Sequence, residues 1–141
     1  MHSDTTIWDL TDHLLTLLPG DLTRENLEQA TALTTTPTGS VRYESDPGAA
    51  TTLRDGVTID DVIYIDPSWY HVGVQPTPCV NLTQAQQHYP DLEAVGHSTT
   101  ENPVQSTTYA HTGNGGCLYL AFTDDQHCLI DVNIDNKPKH A

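Results

Sequence analysis

The fold is decided by residues 105–135, which read QSTTYAHTGNGGCLYLAFTDDQHCLIDVNID. Within this stretch, Asn114-Gly115 separates two runs in which apolar and polar residues alternate, and such a pair predicts a β-hairpin with those two residues as its turn. A second turn at 123–127 and an apolar run at 128–134 predict a third antiparallel strand. The hairpin register then sets Thr112 opposite Cys117, His111 opposite Leu118 and Tyr109 opposite Leu120.

Alternation divides this predicted meander into a core face and an outward face. The core face collects the larger apolar side chains, namely Tyr109, His111, Leu118, Leu120, Phe122, Ile130, Val132 and Ile134. The outward face carries short or acidic side chains and one aromatic ring, namely Thr108, Ala110, Thr112, Tyr119, Ala121, Asp131, Asn133 and Asp135. Because parity places Cys117 and Cys128 on opposite faces, these two thiols cannot pair within the meander.

Two short helices are predicted near the beginning of the chain. Residues 4–18 carry apolar side chains at helical spacing, with Ser3 or Asp4 as the cap and Pro19-Gly20 at the end. Residues 23–33 form the second helix, with Thr23 as its N-cap. Two helices separated by a tight break form a helical hairpin, which must pack on something larger.

The rest of the chain is predicted to be mainly β. The expected elements are a linker at 34–39, a short strand at 41–43, a turn at 46–48, strands at 57–65 and from 72 onward, and a short helix at 83–88. In the strand at 57–65, the apolar residues Val57, Ile59, Ile63 and Ile65 alternate as on one face of a strand, interrupted by Asp60-Asp61. We therefore predict an α+β fold, in which the N-terminal helical hairpin packs on a mainly antiparallel sheet of about five or six strands that ends in the three-stranded meander. Residues 1–141 are predicted to form a single domain, helical over 4–33 and mainly β over 40–135.

The charge balance excludes several classes of partner. The 141 residues include 19 acidic and 5 basic side chains, for a formal net charge of −14. Such a surface repels nucleic acids and anionic membranes. The start, Met1-His2-Ser3-Asp4, lacks the basic and apolar regions of a secretory signal, so the sequence predicts a soluble, cytoplasmic protein.

Three motifs that could carry chemistry are better explained by local structure. Residues 131–136 begin like a calcium loop but have Asn136 where glycine is required. The glycines before Cys117 are those of the hairpin, which points His111 away from this thiol, so a cysteine hydrolase is not expected. The adjacent pairs Asp60-Asp61 and Asp124-Asp125 would point to opposite faces of a strand, which disfavours an acid–base dyad.

The cysteines and histidines leave two alternatives open. Cys79, Cys117 and Cys128 have no zinc-like spacing, so three reduced thiols are expected, with one disulfide as the alternative. The 8 histidines are dispersed, and two or three of them, such as His97 or His111, could converge with aspartates on a metal. Apart from this alternative, we expect that the protein binds no metal or other cofactor.

The distribution of charge indicates a function in binding. Between His71 and Asn136 the sequence has no Lys or Arg, against seven carboxylates. A surface of one sign costs stability through self-repulsion, so we expect a chain that keeps such a surface to use it in binding. The natural complement is a basic protein, with aromatic side chains as anchors inside the charged rim.

The sequence therefore predicts a non-enzymatic binding protein, of the kind represented by bacterial immunity proteins and antitoxins that neutralise a basic toxin or nuclease domain by covering its active surface. The match is one of size, charge and absence of motifs. The expected contacts are acidic and aromatic side chains, namely Asp60, Asp61, Trp69, Tyr70, Tyr119, Asp124, Asp125, Asp131 and Asp135. The alternatives are a small metal-dependent enzyme or metal-binding domain, a general protein-interaction domain, and an acidic balance that serves only solubility or salt adaptation.

Overall fold

The computed structural model describes residues 5–18, 20–98, 105–113 and 115–137. The helices in these residues are α1 (Ile7–Leu15), α2 (Arg24–Thr31) and α3 (Leu82–His88). The strands are β1 (Thr35–Pro37), β2 (Arg42–Ser45), β3 (Thr51–Thr52), β4 (Thr58–Ile65), β5 (Trp69–Val74), β6 (Glu93–Ser98), β7 (Ser106–Gly113), β8 (Gly116–Thr123) and β9 (Leu129–Asp135). None of the helices in the described ranges has the length and apolar character needed to span a bilayer.

The nine strands described form one antiparallel sheet in the order β1-β2-β4-β5-β9-β8-β7-β6, with β3 paired to β4. Helices α1 and α2 pack together and contact strands β4, β8 and β9. The predicted α+β architecture is confirmed, including the early helical pair and the β7–β8–β9 meander, although the sheet is larger than expected.

Both early helices begin at a threonine cap. The side chain of Thr6 accepts a hydrogen bond from the Asp9 amide and the Asp9 carboxylate accepts one from the Thr6 amide, so α1 begins at Ile7 and is shorter than the predicted helix. The proposed caps Ser3 and Asp4 lie outside the described residues, as does Pro19. Thr23 caps α2 as predicted, because its hydroxyl accepts from the Asn26 amide. The predicted helix near 83–88 is also confirmed, as α3.

The hairpin register is the most accurate part of the prediction. Strands β7 and β8 pair Thr112 with Cys117, His111 with Leu118 and Tyr109 with Leu120, as predicted. Asn114 lies outside the described residues. The assignment of Ile130 to the core face is wrong, because a register shift at Ala121/Phe122 sets Leu129 opposite Phe122. Leu129 is therefore fully buried, whereas Ile130 is only half-buried.

Two other predictions are wrong, one for the segment at 34–39 and one for the strand at 57–65. The expected linker at 34–39 contains β1, whose first residue, Thr35, donates its amide to the Glu28 carboxylate at 2.6 Å. In β4, a bulge between Ile59 and Asp61 changes the parity, so Val62 and Tyr64 are buried while Ile63 faces the other side. Strands β3 and β6 were not predicted.

The expectation of three reduced thiols is wrong. Cys79 and Cys128 form a disulfide, and Cys117 is a buried free thiol. The pairing follows from the return of the chain before α3, where Asn81 forms a β-bridge with Cys128. Cys79 lies outside the meander, so the parity argument that separates Cys117 from Cys128 does not apply to it.

Candidate functional site

Strands β4, β5, β8 and β9 present one face to the helices and another face away from them, which we call the outer face. Alternation along β5 sends Tyr70 and Val72 into the core and leaves Trp69, His71 and Gly73 on the outer face. The neighbouring strands add Asp131, Asn133 and Asp135 from β9, and Cys117, Tyr119 and Ala121 from β8. This face corresponds to the outward face expected from the sequence.

The strand register brings acidic side chains into one row across this face. Gly73 lies opposite Asp61 on one side and opposite Asp131 on the other. Because glycine has no side chain, the two carboxylates are separated only by backbone. A Cβ atom at position 73 would lie 3.0 Å from an Asp60 carboxylate oxygen and 3.2 Å from the Asp61 Cβ. The glycine thus provides the space that these aspartates occupy.

Four of the predicted contact residues line a single open groove of about 620 Å³ at this row. They are Asp60, Asp61, Asp125 and Asp131. The other described residues that line the groove include no lysine or arginine and are His71, Gly73, Val74, Gln75, Pro76, Thr77, Thr123, Gln126, Cys128 and Ile130. We call this feature the acidic groove.

The β4 bulge explains why both members of the Asp60-Asp61 pair reach the acidic groove. Simple alternation predicts opposite directions for them, and that expectation is wrong here. Strand β5 pairs Ile59 with Val74 and Asp61 with Gly73, which leaves Asp60 as the extra residue of the bulge. A bulge re-aims side chains in this way.

His71 lines the acidic groove, and its ring is oriented by hydrogen bonding. Its Nδ1 is 3.0 Å from Asn133 Oδ1, which also accepts a hydrogen bond from Trp69 Nε1 at 3.1 Å. Because indole nitrogen only donates, the shared oxygen is an acceptor and His71 Nδ1 carries a proton. The opposite nitrogen, Nε2, faces Asp131 Oδ1 at 3.4 Å and Asp61 Oδ2 at 3.6 Å.

Among the carboxylates of the acidic groove, Asp131 lies in an environment that disfavours its ionised form. Burial raises the pKa of Asp131, and the nearby Asp61 and Asp60 carboxylates raise it further, while His71 opposes them. The ionised form of Asp131 is therefore less favourable here than in water. Such a carboxylate destabilises the fold at neutral pH, which is typical of groups retained for function.

A second groove, of about 510 Å³, lies further along the outer face and contains three more predicted contacts. Trp69 stacks on Tyr119 with ring centroids 6.0 Å apart, and Asp135 lies beside them. Tyr119 is only 8% exposed, and burial together with Cys117 raises its pKa to about 12. The outward face is thus less open than expected, because Ala110, Cys117 and Tyr119 form a small buried cluster against Trp69.

Two predicted contacts lie elsewhere. Tyr70 is fully buried on the core side of β5, and its hydroxyl donates to the Thr23 carbonyl oxygen, so it cannot serve as a surface anchor. Asp124 accepts hydrogen bonds from His97 at 2.5 Å and Thr107 at 2.9 Å, and these bonds lower its pKa. Asp124 therefore joins β6 to the turn after β8 and does not line the acidic groove.

Four histidines of the described residues pair with separate aspartates. In addition to His71, the pairs are His88 with Asp12, His97 with Asp124, and His111 with Asp91. Within the described ranges, no cluster of three or more potential ligands has the arrangement of a metal site. The alternative in which dispersed histidines converge on a metal is thus not found in this part of the chain.

His71 belongs to the site but is not among the contacts predicted from the sequence. The available signal was its position two residues after Trp69, which puts both on one face of a strand. Sequence reasoning also missed the network in which the buried Tyr89 hydroxyl donates to Asp12 at 2.6 Å and contacts Thr11. That network joins α3 to α1, and none of its three residues lines the acidic groove.

Comparison of the chain with protein-family models, curated proteins and solved structures finds no match. The function is therefore inferred from the geometry and charge of the outer face.

Proposed function

We propose that the protein is a small acidic binding protein, of the immunity-protein or antitoxin kind, that neutralises a basic toxin domain by covering its active surface. The observation that carries the proposal is the convergence of Asp60, Asp61, Asp125 and Asp131 on one groove whose described lining includes no lysine or arginine. A cationic surface of the partner would supply the missing counter-charge.

The arginines of the chain do not supply it, because each is paired elsewhere. Arg24 lies 3.4 Å from Glu28 and over the Tyr43 ring, Arg42 lies 3.0 Å from Glu44, and Arg54 lies 3.8 Å from Asp9. The acidic groove therefore keeps its negative field, which would steer a basic partner toward it.

The outer face also offers apolar contacts beside the carboxylates. Ile63 and Ile65 of β4 are half-buried next to His71 and Trp69, their partners on β5. Half-buried apolar and aromatic groups within a charged rim are typical of the residues that carry binding energy in interfaces. We propose Trp69 as the principal anchor, with Asp61 and Asp131 as the principal charges.

We propose that this inhibition takes place in the cytoplasm, where an intracellular toxin domain would act. The Cys79–Cys128 disulfide is typical of oxidising compartments instead. Alkylation of the protein in intact host cells, followed by mass spectrometry, distinguishes a reducing from an oxidising compartment. Alkylated Cys79 and Cys128 support a reducing compartment, and a retained disulfide contradicts it.

The test begins with affinity capture from the native host and continues with the purified pair. We expect one stoichiometric basic partner whose toxic activity is lost in the complex, and an affinity that falls steeply with salt. Asp61→Asn/Asp131→Asn should weaken binding by at least about tenfold. Glu25→Gln/Asp46→Asn removes the same charge from exposed positions outside the groove and should have little effect.

Three results would contradict the proposal. An affinity that is flat in salt would exclude the electrostatic mechanism. Equal losses in the groove variant and the charge-matched control would mean that only net charge matters. A bound partner that keeps its full activity would assign the chain to general interaction domains instead of inhibitors.

A further inference from the structure

One wall of the acidic groove is a short exposed segment before α3. Residues 76–79 are all exposed, and Pro76 and Thr77 line the groove. The segment is anchored on both sides: the Gln75 amide donates to the Thr58 carbonyl oxygen at 3.0 Å, and the Val80 carbonyl oxygen accepts from the Leu129 amide at 2.8 Å. We call residues 76–79 the groove wall.

Within the described part of the chain, one disulfide is the strong link between the groove wall and the rest of the molecule. Among the hydrogen bonds of the described residues, none involves residues 76–79. Cys79 is instead joined to Cys128, which also lines the groove. The disulfide is thus what ties this wall to the start of β9.

We propose that the Cys79–Cys128 disulfide is a redox-controlled tether that keeps the groove wall in place, and that its reduction releases the wall and weakens binding at the acidic groove. The effect on binding rests on the proposed function, whereas the release of the wall does not. In a reducing cytoplasm, where we propose that inhibition takes place, the released wall would be the resting state, and oxidation would form the tether and raise the affinity. A released wall would have to be ordered again each time a partner binds, which lowers affinity.

The exposure of the two cysteines sets the direction of the reaction. Cys79 is exposed and Cys128 is 3% exposed, so the thiolate of an external dithiol reductant attacks the Cys79 sulfur. The S–S bond breaks, Cys128 leaves as a thiolate and takes up a proton, and Cys79 is held in a mixed disulfide. The second thiol of the reductant then displaces Cys79, which also ends as a thiol, while the reductant becomes a disulfide and has supplied two electrons.

The rest of the site is expected to survive reduction. Strand β9 remains paired with β5 and β8, and the Leu82 amide still donates to the His127 carbonyl oxygen. The carboxylates on β4 and β9 therefore keep their positions. Reduction should change the mobility of one wall and leave the row of acidic side chains intact.

The mobility of the groove wall can be measured by ¹⁵N relaxation on oxidised and dithiothreitol-reduced protein. We expect the order parameters of the Thr77 and Cys79 amides to fall from about 0.8 to below about 0.6 on reduction, with β8 unchanged. Cys79→Ser should reproduce the reduced state without reductant, and avoids a polar substitution at the buried Cys128. Cys117→Ala removes the third thiol and should respond to reductant as the wild type does.

Binding is measured on the same samples, with the captured partner and with a nona-arginine peptide as a cationic probe. We expect reduction to weaken both by about tenfold, and Cys79→Ser to match. Unchanged order parameters in the reduced protein would overturn the tether. A mobile wall with unchanged peptide and partner affinity would overturn its control of the groove. Failure to capture any partner would count against the proposed function alone, because the relaxation and peptide measurements do not depend on it.

Discussion

His71 Nε2 lies 3.4 Å from Asp131 Oδ1, although the two residues come from distant parts of the sequence. Strands β5 and β9 are neighbours in the sheet, and the histidine lies two residues along β5 from Gly73, which is opposite Asp131. The contact places a titratable base between two carboxylates, because Asp61 approaches the same nitrogen from β4. Three side chains from three strands therefore meet at this point of the acidic groove.

Replacing Asp131 by asparagine should stabilise the fold and weaken partner binding. The pKa of Asp131 is raised in the folded protein, chiefly by burial, so its contribution to stability is present at low pH and is lost as pH rises through the raised pKa. At neutral pH the ionised group is unfavourable, and Asp131→Asn should raise Tm modestly, since partial exposure screens the effect. Thermal melts at pH 7 check this. A lower Tm in the variant would contradict the unfavourable ionisation inferred for Asp131.

Replacing Asp124 by asparagine should have the opposite effect on stability. Hydrogen bonds from His97 and Thr107 lower the pKa of Asp124 below its ordinary value of 3.8. Its contribution is therefore present above that value and lost as pH falls through the lowered pKa. We expect Asp124→Asn to melt below the wild type near pH 6, and the difference to shrink as the pH approaches about 2. A difference that is constant across this range would exclude the ionised carboxylate as its source.

The register shift at the start of β9 can be tested by two neighbouring substitutions. Leu129 is fully buried opposite Phe122, whereas Ile130 is half-buried at the groove. Leu129→Ala should cost about 3 kcal/mol in the free energy of unfolding, and Ile130→Ala about 1 kcal/mol or less. Urea denaturation of both variants gives the values. Simple alternation predicts the reverse order, so a larger loss at Ile130 would rule out the shift.

Two glycines provide a matched test of packing between the segment that follows α1 and the meander. A Cβ atom at Gly116 would lie 2.6 Å from Leu18 Cδ1 and 2.7 Å from the Asp135 carbonyl oxygen, and the second contact cannot relax without moving backbone. Gly116→Ala should therefore destabilise the protein by about 2 kcal/mol or more. Gly96→Ala, with no atom within 4 Å of its added Cβ, should be close to neutral. Equal melting of the two variants would contradict the close approach at Gly116.

Local sequence signals predicted most of the secondary structure. Asn114-Gly115 and the alternation around it sufficed for the β7–β8 register, because a two-residue turn leaves little freedom in pairing. Thr23 sufficed for the start of α2, because its hydroxyl bonds only three residues away. The failures at Ile130 and Ile63 have one cause: each bulge inserts a residue and inverts the alternation that follows. Nothing in the composition of these strands signals where such an insertion falls.

The acidic character of the candidate site came from the sequence alone, since the absence of Lys and Arg between His71 and Asn136 is a property of composition. Which carboxylates act together was decided only by the tertiary structure. The order β4-β5-β9 brings Asp61 and Asp131 to either side of Gly73, sends Asp124 to His97, and turns Tyr70 into the core. The same order places Cys79 beside Cys128. Charge is a sum over residues and needs no fold, whereas a groove requires strands that are distant in the chain to become neighbours, which depends on long-range pairing that no local pattern encodes.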